Sequence, residues 1–133
     1  MDAETVVRRY LTVFETENTD ELEDLVAEDV EIWTGGERVV GRRYPMSSVH
    51  TPGLSGCRTD IVELFSADDR VVVYFRNTYR HDATGVDVTM AGMKMYQVTD
   101  GRIVRSWGET DVNGLLEQVA AAGAADGGAA TPG

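Results

Sequence analysis

Apolar side chains near the start of the chain recur at the spacing of one helical face: Val6, Val7, Tyr10, Leu11, Val13 and Phe14. This pattern predicts a helix from Asp2 to about Thr16, capped by Asp2 or Thr5, with Glu4 in its first turn. The polar run Glu15–Thr19 ends it. Thr19 or Asp20 then opens a short second helix, with Leu22, Leu25 and Val26 inward and the pair Glu28-Asp29 at its end. Val30–Thr34 alternates as a strand, with Val30, Ile32 and Thr34 on one face. Gly35-Gly36 is a turn and Val39-Val40 a short strand. Gly41–Val49 reads as a helix that Pro45 leaves regular only in its first turn. Residues 50–56, with Pro52, Gly53 and Gly56, read as a loop that forms a lid or a pocket rim.

The second half of the chain changes period. Arg58–Ser66 and Arg70–His81 read as strands joined by a tight turn. The odd face of the second carries Val71, Val73, Phe75, Asn77, Tyr79 and His81. It begins apolar and becomes polar, as a strand does when it leaves a core and enters a cavity. Gly85–Thr99 and Arg102–Asp111 form two long strands around an Asp100-Gly101 turn. The more apolar face of the first is Val86, Val88, Met90, Gly92, Lys94, Tyr96 and Val98, which predicts that it points inward. Lys94 sits in the middle of that face, where an ammonium is costly unless paired or deprotonated. Two readings stay open. The lysine stem lies on the sheet with its head in water, or Lys94 lines a ligand pocket opposite an acid, for which Glu109 and Asp111 are available. Asp111 starts a last helix with Val112, Leu115, Leu116 and Val119 as its apolar stripe. From Ala120 onward Ala and Gly dominate, which predicts a disordered tail over 120–133 and one domain over 1–119.

Helices and strands that come in runs, without alternating, imply an α+β fold. A curved antiparallel sheet wrapped as a cone around the first helix buries all these faces, and it leaves a cavity into which Tyr10 and Phe14 point. Met93 and Met95 on the outer face are soft residues for a solvated surface, and a homodimer formed through that sheet face would cover them.

Composition narrows the partners. The 133 residues carry a net charge of −11 with no visible basic face, which argues against nucleic acid and anionic membranes and for a cytoplasmic protein. The N-terminus reads as a charged helix start, without the features of a signal peptide. A single cysteine, Cys57, allows no internal disulfide and reads as a small buried strand residue. Phosphate loops, dinucleotide fingerprints and Ser or Cys nucleophile motifs are absent. His50 and His81 belong to no ligand-spaced motif, so no metal or other cofactor is expected. Acid–base work by Tyr, Lys, His and carboxylates remains.

The opening VVRRYLTVFETENTDELEDLVAEDVEI resembles that of the nuclear transport factor 2-like superfamily, especially its SnoaL-like polyketide cyclases and ketosteroid isomerases. DGRIVRSWGETDVNGLLEQV resembles the closing strand and helix of the same family. The resemblance covers about residues 4–119 and implies the cone fold; it leaves the activity open, since the fold hosts isomerases, cyclases, dehydratases, epoxide hydrolases and binding modules.

By this resemblance Tyr10 matches the tyrosine that donates to the oxyanion in the isomerases. The isomerase base falls on Thr34, which cannot abstract a proton at neutral pH. The protonated acid of the isomerases, a histidine in some cyclases, falls on Lys94, and His81 lies near a histidine frequent in the cyclases. The last-strand acid of cyclases and limonene epoxide hydrolases falls on Gly108 by ungapped counting, or on Glu109 counting from Trp107. Glu109 is preferred, at the expense of a small bulge. Asp111 matches a frequent family Asp, either catalytic or a helix cap. The Arg-x-Asp pair of the epoxide hydrolases is missing, since Gly92-Met93-Lys94 stands there.

Together these readings predict a cofactor-free cyclase or isomerase of a biosynthetic pathway acting on a hydrophobic small molecule, by aldol-type or epoxide-opening cyclisation. Tyr10, Lys94, Glu109, His81 and Asp111 are its candidate catalytic groups. Phe14, Trp33, Thr34, Phe75, Asn77, Tyr79, Met90, Tyr96 and Trp107 are candidate substrate contacts, although core or dimer packing also accounts for both tryptophans. The alternative is a non-catalytic binding or dimerisation module of the same fold.

Overall fold

The computed structural model describes residues 1–128 of the chain. Helix α1 spans Ala3–Thr16, and a short helical turn at Thr19–Glu21 leads into α2, Leu22–Leu25. Strand β1 (Val26–Thr34), β2 (Glu37–Val40) and α3 (Arg43–Ser48) follow. Four long strands come next: β3 (Leu54–Ala67), β4 (Arg70–His81), β5 (Asp87–Thr99) and β6 (Arg102–Thr110). Helix α4, Val112–Gly128, closes the chain. Asp2 caps α1 by accepting from the Thr5 N–H at 2.8 Å. The same bonds from Thr5 lower the pKa of its carboxyl.

The six strands form one curved, unclosed sheet in the order β2-β1-β6-β5-β4-β3. The fold is α+β, as the pattern predicted. One pairing differs from a wholly antiparallel sheet: β1 runs parallel to β6, with Ile32 beside Ser106 and Trp33 beside Trp107. Helix α1 packs into the concave face against β3, β4, β5 and β6. Val6, Val7 and Val13 are fully buried there against Val71, Val73, Tyr96 and Ile103. Burying a Val or Leu side chain is worth about 1.5–3 kcal/mol, so this face holds the helix in place.

Boundaries move in three places. The second helix is shorter than expected, because Val26 already enters β1 and is buried there. Strand β3 begins at Leu54 and absorbs part of the expected loop through an irregularity between Ser55 and Arg58; a second lies between Ile61 and Glu63. Helix α4 runs on through residues 120–128, the first part of the stretch that composition assigns to a tail. Alanine has the highest helix propensity, and Ala122 is buried. Residues 129–133 lie outside the described residues. Gln118 of α4 binds both backbone groups of Thr89: its Oε1 accepts from Thr89 N–H and its Nε2 donates to Thr89 C=O, each at 2.8 Å. This satisfies a stretch of β5 that β6 does not reach.

Candidate functional site

Between α1, α3, α4 and the concave sheet lies a cavity of about 360 Å³. Its apolar wall includes Leu11, Phe14, Ile32, Phe75, Met90 and Leu115. Its polar groups include the hydroxyls of Tyr10, Tyr44, Tyr79, Tyr96, Ser106 and Thr110, with Asn77, His50 and Lys94; Ser47, Ser48 and Thr51 also line it. Strand parity explains the members that come from the sheet. Lys94 and Tyr96 are two apart on β5, opposite Gly108 and Ser106 of β6 and Val73 and Val71 of β4. Gly92, two residues before Lys94, is where the wall comes closest. A Cβ there would lie 2.6 Å from the Phe75 ring, so only glycine lets that ring close the cavity floor.

Lys94 is the single lysine of the chain. It makes no ion pair among the described residues, and no carboxylate lines the cavity. Burial lowers the pKa of its ammonium, and the charge of Glu109 offsets part of that. Tyr10 and Tyr96 are buried, with rings 5.6 Å apart, and burial raises the pKa of both hydroxyls so that they stay protonated donors. No protein hydrogen bond engages either hydroxyl among the described residues. Asn77 is buried in a polar chain. Thr59 donates to its Oδ1 at 2.7 Å, and its Nδ2 donates to the Tyr79 hydroxyl at 3.3 Å. Burial pushes Tyr79 up to about 12.

Of the residues singled out from the sequence, Tyr10, Phe14, Phe75, Asn77, Tyr79, Met90, Lys94 and Tyr96 meet in this cavity. The others do not line it. Glu109 is exposed on the outer face, where both its oxygens accept from the Gly35 N–H at 2.8 and 3.0 Å. The irregularity in β6 falls at Val104, before Trp107, so alternation afterward turns Ser106, Gly108 and Thr110 inward and Glu109 outward. Asp111 caps α4, accepting from the Gly114 N–H at 2.9 Å. Thr34, Glu109 and Asp111 share a shallow surface depression. His81 ends β4 with its Nδ1 against the Thr84 hydroxyl at 2.7 Å. Trp33 and Trp107 are neighbours on the outer face, where Arg70 lies 5.2 Å from the Trp107 ring centre.

The match to a family model decides the relationship: residues 7–106 match that of the SnoaL-like domain. The chain belongs to the SnoaL-like family. Solved structures agree on the fold. IdmH from Streptomyces antibioticus, a proposed polyketide cyclase, is 18% identical, with 90% of this chain and 99% of that one covered and a TM-score of 0.78. A proposed polyketide cyclase from Acidithiobacillus ferrooxidans is 19% identical over 92% of this chain and 96% of its own, with a TM-score of 0.76. An LEH-like epoxide hydrolase from M. tuberculosis is 17% identical over 90% of each chain, with a TM-score of 0.71. No curated protein matches the sequence.

This SnoaL-like cavity has lining residues that sequence reasoning passed over. Ser106 and Thr110 carry a signal that parity with Lys94 would have revealed. Tyr44 and His50 carry none, because α3 and the loop after it have no fixed period. His50 sits at the mouth, exposed, with its Nδ1 3.2 Å from Glu17. Among the described residues no three His, Cys, Asp or Glu side chains gather to hold a metal ion, and no helix is long and apolar enough to cross a membrane.

Proposed function

We propose that the protein is a SnoaL-like enzyme that isomerises or cyclises a hydrophobic carbonyl compound without a cofactor. One observation carries the reading: the Lys94 amine and the Tyr10 hydroxyl open into one apolar cavity without partners among the described residues. A pocket that only sequestered an apolar ligand would gain nothing from leaving such groups unpaired. Tyr10 donates to the oxygen on which negative charge develops, and Lys94 either stabilises the same enolate or, as a free amine, takes up the proton. The surrounding apolar wall strengthens both interactions by excluding water.

The test is a panel of linear polyketones and cyclic enones, with products followed by mass and chromatography. A product of unchanged mass and altered retention, lost in Lys94→Met, is the expected result. A panel bound but left unchanged would overturn the enzymatic reading. It would favour a second one, a binding module, which the lack of any carboxylate in the cavity supports.

We further propose a homodimer through the outer sheet face. Paired positions form one row across five strands: Phe65, Val72, Met95, Trp107 and Trp33. Phe65 is 63% exposed and Met93, beside the row, 57%. A second copy of this face would cover both.

A further inference from the structure

We propose that Lys94 acts covalently: its amine condenses with an aldehyde or ketone held in the cavity, and the resulting iminium carries the reaction. This deepens the reading above and rests on it, because it needs a carbonyl compound in the same cavity.

The argument starts from residue choice. The chain has 12 Lys and Arg residues, of which one is lysine and the other 11 (12 − 1) are arginine. A guanidinium stays protonated and cannot serve as a nucleophile, whereas an amine can. The chain's one primary-amine side chain lies on the inner face of a central strand, fixed by ladder partners on both sides. It has no counter-ion within the cavity, since Glu109 is turned outward and engaged by Gly35. A lysine needed only as a cation would be better served by a neighbouring carboxylate to hold it charged. Here burial favours the neutral amine instead. Tyr10 and Tyr96, protonated donors on the same cavity, supply what a condensation needs next to the amine.

The steps balance. The neutral amine attacks the carbonyl carbon; a C–N bond forms, the π pair moves to oxygen, and a proton passes from nitrogen to that oxygen. A proton from a tyrosine hydroxyl then lets the oxygen leave as water, which gives the iminium, and the tyrosine regains a proton from solvent. Loss of an α-proton to water gives the enamine. Its electron pair attacks a second carbonyl of the same substrate, forming a C–C bond, and the new alkoxide takes up the proton. Water adds to the iminium carbon, a proton passes from that oxygen to nitrogen, and the C–N bond breaks to regenerate the carbonyl; the amine is restored neutral as the proton drawn from solvent earlier returns to solvent. One water leaves and one returns, so the net change is an isomerisation.

The experiment uses the full chain with naphthaldehyde and cyanoborohydride, followed by peptide mapping. The α-amino group is the internal reference. At about pH 7.5 an ordinary lysine, with roughly a thousandth of its amine free, would lag the α-amino group by more than about a hundredfold. Labelling of Lys94 at a rate equal to or above that of the α-amino group is the expected result. In parallel, naphthylmethanol, which cannot condense, reports whether the cavity takes such a ring, through NMR shifts of lining residues. Slow or absent labelling of Lys94 with naphthylmethanol bound overturns the covalent proposal alone. Absent labelling with no naphthylmethanol bound overturns it together with the hydrophobic-ligand reading.

Discussion

Gly108 stands directly across the β5–β6 ladder from Lys94, and a Cβ on it would meet the Lys94 Cα at 2.7 Å and its Cγ at 2.8 Å. Its φ of 147° is also one that side chains rarely adopt. Gly108, one of the two positions on which the family resemblance puts a last-strand acid, thus has no room for a side chain here. Gly108→Ala is expected to lower stability by about 2–4 kcal/mol, strain and overpacking together. Gly108→Asp should do no better. Urea unfolding midpoints check both, and an unchanged midpoint for Gly108→Ala would contradict the packing described.

Lys94 should make stability depend on pH in a particular sense. Burial depresses its folded pKa below the unfolded value near 10.5. Between those two values the unfolded chain binds more protons, so stability rises with pH through that window. Lys94→Met removes the term. The variant is expected to be more stable than wild type at neutral pH, with the gap closing as pH approaches the unfolded value. Urea titrations from neutral to alkaline pH measure this, and a gap that widens with pH would refute it.

Tyr10 tests chemistry against packing. Its ring packs against Phe14 and Tyr96 while its hydroxyl has no protein partner among the described residues. Tyr10→Phe is therefore expected to change stability by no more than about 0.5 kcal/mol. Turnover of any substrate found should fall by roughly a hundredfold or more, as for loss of an oxyanion donor. Equal turnover would remove Tyr10 from the mechanism.

The outer-face row predicts a dimer of twice the chain's 14.5 kDa. Met93→Glu places a charge in that face and should give a monomer at micromolar concentration by light scattering. A monomeric wild type would remove the interface.

Local periodicity made much of this molecule legible. The helical face from Val6 to Val13 and the alternation along β4 and β5 located the core, and they placed Lys94, Tyr96 and Asn77 on inward faces. The parallel β1–β6 pairing was invisible because it joins segments far apart in sequence. Glu109 was misplaced because an extra residue at Val104 resets the alternation earlier than expected. His81 continued an inward face past the point where its strand reaches the turn. The end of α4 was not legible, because small residues signal a flexible chain as readily as a helix and the docking of Ala122 leaves no periodic trace.

A sheet that does not close must also avoid growing. Strand β3 is its long free edge, 14 residues that a strand from another molecule could extend indefinitely. The two irregularities in β3, before Arg58 and before Glu63, break that edge into short segments out of step with one another. No neighbouring chain can lay an unbroken ladder along it. The kinks that bend the strand around its helix thereby guard the protein against fibril-like aggregation through its open side.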